Sequence, residues 1–313
     1  MELADQVLTG DPWAIARAIS IVESESTEAA GLVGRLFCHA GRARVVGVTG
    51  APGVGKSTLV DRLTAEWRRG GTSVGILAVD PTSPFTGGAI LGDRIRMQAH
   101  ADDEGVYVRS MATRGHLGGL ARATNDAVVV LDAAGKEIVL IETVGVGQGE
   151  VDVARTADVA IVVTVPGTGD DVQALKAGIM EIADIFVVNK TDRDGADRTM
   201  AEIESMLALR DTSDTEWRPP VLKTRATTGE GVPAVIEAIG SLDGAHHVAG
   251  DTRRRERALV QLHEILTRRF LEVVEGRTSE ARSWNEMLDR IACGTIDPYR
   301  AADEILRLVL KER

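Results

Sequence analysis

Between Arg44 and Lys190 the chain repeats one rhythm: a short run that is apolar almost throughout, then a longer stretch with apolar residues at helical spacing. The runs are RVVGVTG (44–50), SVGILAVD (73–80), GVYVRSM (105–111), EIVLIET (137–143), VAIVVTV (159–165) and IFVVNK (185–190). Short stretches this apolar, rich in Val and Ile, suit strands covered on both faces, as in a parallel sheet. The intervening spacing predicts helices over Lys56–Arg69, Leu117–Ala134 and Ala196–Leu209. A weaker strand, PPVLKT (219–224), and a helix after GEGVPAV (229–235) extend the same layer. Strands alternating with helices predict an α/β fold, with a mostly parallel central sheet flanked by helices.

The ends read differently. AIARAISIVE (14–23) and AAGLVGRLFCHA (29–40) predict two helices ahead of the first strand. Beyond about residue 250 the strand pattern stops, and three helices are expected in TRRRERALVQLHEILTRRFLEVVE, SWNEMLDRIACG and DPYRAADEILRLVL, the last started by Asp297-Pro298. The expected division is an N-terminal helical extension (1–43), a nucleotide domain (44–249) and a C-terminal helical extension (250–313). Amphipathic helices in the tail suit either a cap on the main domain or a dimer interface. No internal repeat or low-complexity segment is present.

Composition narrows the partners. The net charge of −11 argues against general binding to nucleic acid or to anionic membrane. The local basic cluster DTRRRERALV reads as a solvated helix face. Apolar residues make up 44% of the chain, enough for a core, and aromatics only 3%, so that core rests on Val, Ile, Leu and Ala. Two distant cysteines, Cys38 and Cys293, cannot form a disulfide framework or a zinc cluster and are expected to be buried free thiols. The acidic start MELADQVLTGDPW has no apolar signal core, and no apolar run reaches the roughly 18 residues of a membrane span. A cytoplasmic protein is expected.

Candidate chemistry begins with VTGAPGVGKSTLVD (48–61). Gly50, Gly55, Lys56 and Ser57 satisfy G-x-x-x-x-G-K-S/T between a strand and a helix, with Pro52, Gly53, Val54 and Thr58 completing the lining. Glycines let successive N–H groups turn inward on phosphates, and the helix adds its positive end. Lys56 is placed to bridge the β- and γ-phosphates, and Ser57 to offer a hydroxyl to Mg²⁺. Asn189-Lys190-Thr191-Asp192 then ends a strand. The Asp192 carboxylate suits the N1–H and exocyclic amine of guanine, whereas adenine presents an acceptor there. Such polar pairing rejects the wrong base by on the order of 10⁴-fold. The Lys190 stem suits stacking on the base, and Asn189 suits tying neighbouring loops together. The nucleotide is therefore read as GTP/GDP. Thr224-Arg225-Ala226 occupies the second base-side loop, where many GTPases have Ser-Ala and a backbone N–H reaches guanine O6; Arg225 leaves the side-chain role open.

Acidic candidates follow the strands. Asp80 ends the second run, and Asp93 lies in the glycine-rich AVDPTSPFTGGAILGDRIRM; both suit Mg²⁺, with a turn cap and a solvated loop acid as the respective rival readings. In LIETVGVGQGE, Glu142 stands where GTPases usually carry the Asp of D-x-x-G, and Gly145 is placed to sense the γ-phosphate. Glu142 either holds Mg²⁺ through water or orients the attacking water. Gln148 lies too far past Gly145 to be assigned that role. PGTGDDVQALKAG carries Asp170, Asp171 and Lys176 and reads as a mobile element or as a plain loop and helix start.

With these pieces placed, the chain resembles the MeaB/ArgK/MMAA family, the GTPases associated with methylmalonyl-CoA mutase. GAPGVGKST, VDPTSPFTGGAILGDRIRM, MATRGHLGGLA, IETVGVGQGE, VPGTGDD and VVNKTD carry the resemblance. It implies a P-loop GTPase of the metallochaperone-like group, usually a homodimer. Such proteins chaperone the adenosylcobalamin-dependent mutase, gate its cofactor loading and are stimulated by it. By the same resemblance Asp80, Asp93 and Glu142 surround Mg²⁺, and Lys176 joins Lys56, Asp93 and Glu142 as a catalytic candidate in a third switch. The chain has no D-x-H-x-x-G motif, so the corrinoid is expected on the partner. Older family labels supply the alternative, an ATP- or GTP-dependent kinase linked to arginine/ornithine transport. A true metallochaperone would need more than the isolated His246-His247 pair.

Overall fold

Seven apolar runs become seven strands of one sheet. The computed structural model describes residues 2–24, 26–80, 100, 102–112, 119–143, 156–167, 182–209, 217–245, 249–279 and 283–310. The strands are β1 (Arg44–Thr49), β2 (Val74–Asp80), β3 (Val106–Ala112), β4 (Ile138–Thr143), β5 (Val159–Thr164), β6 (Ile185–Val188) and β7 (Val221–Lys223). Their order is β3-β2-β4-β1-β5-β6-β7, and every pair is parallel. All seven expected strands are present, and the sheet is wholly parallel among the described residues.

Alternation along each strand splits the core between two faces. Val45, Leu77, Val79, Val139 and Ile141 pack against α1 (Leu3–Leu8), α2 (Pro12–Glu23), α3 (Thr27–Phe37) and α5 (Gly119–Ala133). Val46, Val48, Ile76, Leu140, Ile161, Val163 and Val187 face α4 (Lys56–Arg69) and α7 (Val232–Ala245). Val162, Phe186 and Val188 lie under Ile203 and Leu207 of α6 (Ala196–Ala208). Phe186 is fully buried, and burial of such a side chain contributes about 1.5–3 kcal/mol. Both faces are thus covered, which is why the runs carry so few polar residues.

Caps and anchors explain the ends of the elements. Asp11 accepts from the N–H groups of Trp13 and Ala14 to start α2. Buried Asp132, in α5, accepts from the N–H groups of Gly41, Arg42 and Ala43, so one carboxylate binds the connector that leads into β1. Arg109 of β3 reaches Ser20 Oγ at 3.0 Å and pairs with Glu23, holding α2 to the sheet. Helix α1 lies ahead of the two N-terminal helices expected; it has a capping box at Glu2 and Asp5 and buries Ala4 and Val7. The helix expected over Leu117–Ala134 is described over Gly119–Ala133, and residues 117 and 118 lie outside the described residues.

The chain divides into compact units at 1–250 and 251–313. In the second, α8 (Ala249–Ser279, its first two residues belonging to the first unit), α9 (Ser283–Ala292) and α10 (Pro298–Leu310) are the described helices. Met287, Ile296 and Ala301 form its small core, and Arg290 pairs with Glu304 at 2.9 Å. Asp297 accepts from the N–H groups of Tyr299 and Arg300, so it starts α10 as expected. The cysteine expectation fails. Cys38 and Cys293 are free thiols but exposed, because each sits just beyond a helix C-terminus on the surface. Among the described residues no helix is long and apolar enough to cross a membrane.

Candidate functional site

Parallel strands place all their carboxyl ends at one edge, and β1 lies between β4 and β5, where successive connections run to opposite sides. Ligands in open α/β sheets bind at such an edge. The glycine-rich loop leaves β1 there. Gly50 has φ 137°, and a Cβ on it would lie 2.1 Å from the Val163 carbonyl oxygen. Gly55, at φ 98°, would drive a Cβ to 2.5 Å from Asn189 Nδ2. Only glycine fits either position. Helix α4 starts at Lys56 with no side-chain cap on its first turn, leaving the positive end of the helix to an anion.

Within the loop the Lys56 side chain is buried, and its Nζ donates to Gly50 O at 2.6 Å and Ala51 O at 3.0 Å. The ammonium is therefore held inside the bend where phosphate oxygens would be met. Ser57 Oγ donates to Glu142 Oε1 at 2.5 Å. Glu142 is buried at the end of β4, registered against Val48 of β1 and Ala78 of β2. A hydroxyl and a carboxylate brought together at this edge are the oxygen donors that a hard divalent cation takes. Val54 is buried, whereas Pro52, Gly53 and Thr58 are exposed.

The base-side residues converge on the same loop. Asn189 Nδ2 donates to Val54 O at 2.8 Å, while its Oδ1 accepts from Thr224 Oγ1 at 3.1 Å and from the Ala226 N–H at 3.0 Å. Lys190 has the left-handed φ of 57°, and Nζ donates to Gly53 O at 2.6 Å. Its stem thus runs from the base loop to the phosphate loop. Asp192 stands at the rim with its side chain 52% exposed, and Arg225 Nε lies 3.5 Å from its Oδ1. In this loop the Ala226 N–H donates to Asn189 Oδ1 and the Arg225 N–H to Glu230 O at 3.0 Å.

Lys56, Ser57, Glu142, Asn189, Lys190, Thr224, Arg225 and Ala226 are therefore brought to one edge, with Asp192 beside Arg225. Asp80 ends β2 at the same edge, its backbone registered against Ala112; its side chain lies outside the described residues. Asp93, Gly145, Gln148, Asp170, Asp171 and Lys176 also lie outside them. Two contacts carried no motif signal in the sequence. Arg62 of α4 donates to Ala226 O at 3.1 Å and Thr227 O at 2.8 Å, bracing the base loop from the phosphate helix. His100 Nε2 lies 3.0 Å from Asp61 Oδ1, also on α4.

Shifted titrations occur away from this edge, at the far end of α4. Hydrogen bonding to Arg68, then to the Gly105 N–H, holds Asp103 below the usual carboxylate range, and Asp103 in turn raises Arg68. Burial lowers nearby Lys136.

A strand, a glycine bend with an enclosed lysine and a helix start, backed by loops stitched through one asparagine, define a P-loop nucleoside triphosphatase. The model of the family described as "Methylmalonyl Co-A mutase-associated GTPase MeaB" matches residues 15–279, and the chain belongs to that family. It is a GTPase. A Pyrococcus horikoshii protein bearing a GTPase name is 47% identical over 99% of this chain and 98% of its own. GTPase ArgK of Escherichia coli is 38% identical over 74% of this chain and 72% of its own. The mouse protein named methylmalonic aciduria type A homolog, mitochondrial, is 35% identical over 84% of this chain and 64% of its own. In fold, the chain resembles the crystal structure of a LAO/AO transport system kinase, with a TM-score of 0.73 at 24% identity, covering 98% of this chain and 96% of that one.

Proposed function

We propose that this GTPase is a cytoplasmic chaperone of adenosylcobalamin-dependent methylmalonyl-CoA mutase, coupling GTP hydrolysis to cofactor loading and protection of that enzyme. The observation carrying the reading is the match to the mutase-associated family over residues 15–279. The kinship with the mouse methylmalonic aciduria type A homolog agrees with it. In this reading residues 1–43 are a helical extension, 44–249 the GTPase domain and 250–313 a dimerisation extension. The homodimer draws support from the stripe Leu259, Leu262, Leu266, Phe270 and Val273, all exposed along α8 at three- and four-residue spacing.

The described residues divide the work. Loop N–H groups and the start of α4 receive the phosphates, with Gly50, Pro52, Gly53, Val54, Gly55 and Thr58 as the lining. Lys56 neutralises the charge developing between the β- and γ-phosphates. Ser57 and Glu142 fit Mg²⁺, which when bound would spread the charge of the transferring phosphoryl group. Asp192 accepts from the guanine edge, Lys190 lies along the base, and Asn189 holds the loops together. Asp80, Asp93, Gly145 and Lys176 remain candidates for the metal, the γ-phosphate and the switch.

Purified mutase is expected to raise GTP turnover severalfold or more, and Lys56→Ala to abolish turnover. Turnover that stays constant across a wide range of mutase concentrations would overturn the chaperone reading while leaving the GTPase intact. Asp192→Asn is expected to lower guanine-over-adenine selectivity by one or more orders of magnitude; unchanged selectivity in competition binding would remove Asp192 from the base site.

A further inference from the structure

We propose that Arg225 is a positioning residue for base selection, acting through Asp192. The inference rests on the guanine reading of Asp192 given above. Arg225 occupies a tight turn whose backbone is secured without its side chain. Its N–H donates to Glu230 O at 3.0 Å, and its carbonyl accepts from Thr228 N, Thr228 Oγ1 and Gly229 N. The next two carbonyls, of Ala226 and Thr227, are held by Arg62 from α4. Gly231 closes the turn at φ 79°, where a Cβ would lie 2.0 Å from Lys223 O. The loop can therefore present one long side chain from a fixed base.

That side chain lies between two carboxylates. Its Nε is 3.5 Å from Asp192 Oδ1 and 3.9 Å from Glu230 Oε2. A guanine edge offers two donors, N1–H and the exocyclic amine, and satisfying both requires the two Asp192 oxygens to lie in the plane of the base. A lone carboxylate on an exposed rim rotates freely about its Cβ–Cγ bond. The guanidinium charge beside Oδ1 biases that rotation electrostatically; at 3.5 Å the contact is an ion pair and not a hydrogen bond, so both lone pairs of the oxygen stay available to the base. Arg225 also offsets the repulsion between Asp192 and Glu230. Half-exposed pairs of this kind are weak, so the contribution is a modest gain in orientation added to base recognition by Asp192.

The test uses full-length protein and three nucleotides: GDP; IDP, which lacks the exocyclic amine; and ADP. In Arg225→Ala, GDP affinity is expected to fall about two- to fivefold with a smaller loss for IDP, so the GDP/IDP ratio drops. Arg225→Lys should restore part of that ratio, and Arg225→Ala should add nothing in an Asp192→Asn background. Equal losses for GDP and IDP would reduce Arg225 to a structural prop and overturn the proposal, as would an unchanged ratio. A wild-type protein that binds ADP as well as GDP would bring down the guanine reading itself. Intact guanine preference with an unmoved GDP/IDP ratio would bring down only the role of Arg225. The thermal midpoint of each variant, measured alongside, identifies any loss that reflects unfolding.

Discussion

Asn189 joins the ends of three segments with one amide: its donor goes to Val54 O, and its acceptor takes Thr224 Oγ1 and the Ala226 N–H. The side chain is buried, so Asn189→Ala leaves these groups unsatisfied at about 1–3 kcal/mol each. The expected outcome is a lower urea midpoint together with weaker GDP binding; a variant as stable as wild type would contradict the stitching role. The loop glycines separate by the same kind of reasoning. Gly50→Ala would set a Cβ against the Val163 carbonyl and should abolish nucleotide binding. Gly53 is also left-handed, but a Cβ there meets nothing within 4 Å, so Gly53→Ala should cost only about 1–2 kcal/mol. Calorimetric titration with GDP distinguishes the two. Gly50 was legible as a fixed position of the motif and Gly53 as part of the lining, but their different tolerance was not, because it depends on a neighbouring strand.

At the scale of elements, α4 is held at both ends. Its start carries the phosphate loop, and near its end Arg68 grips Asp103 with two hydrogen bonds of 2.9 Å. Asp103 has a depressed pKa in the folded chain, so the unfolded chain binds the proton more readily. The stabilisation is complete above the usual carboxylate range and is lost as pH falls through the depressed value. Thermal midpoints followed from about pH 7 to about pH 2 should therefore fall less steeply for Asp103→Asn than for wild type. Identical slopes would show that the pair contributes nothing to acid stability. Strands and major helices were readable because their periods are local properties of the chain. Helix α1 was not, since six residues carry too little pattern and its place depends on burying Ala4 and Val7 against other helices. Burial of the two cysteines was misread for a related reason: an apolar residue type says nothing about which side of a helix end it will occupy.

In the whole molecule, the tail is where composition and exposure combine. Half or more of the surface of Leu259, Leu262 and Leu266 is exposed, although an apolar stripe at this spacing ordinarily faces a core. If residues 250–313 form the dimer contact, Leu262→Asp with Leu266→Asp should convert a dimer to a monomer by light scattering, with basal GTP turnover retained. A dimer that survives both substitutions would place the contact elsewhere.

Local rules settled much of this protein in advance. Glycine spacing, a lysine and a hydroxyl at a helix start, and runs of Val and Ile declare their backbone states through φ preference and side-chain period, which need only near neighbours. Tertiary structure alone decided that Ser57 meets Glu142 across 85 residues, that Asn189 reaches Val54 across 135, and that Arg225 stands against Asp192. Those meetings depend on strand order and crossover connections, which bring distant loops to one edge of the sheet and leave no mark in the periodicity of any single segment.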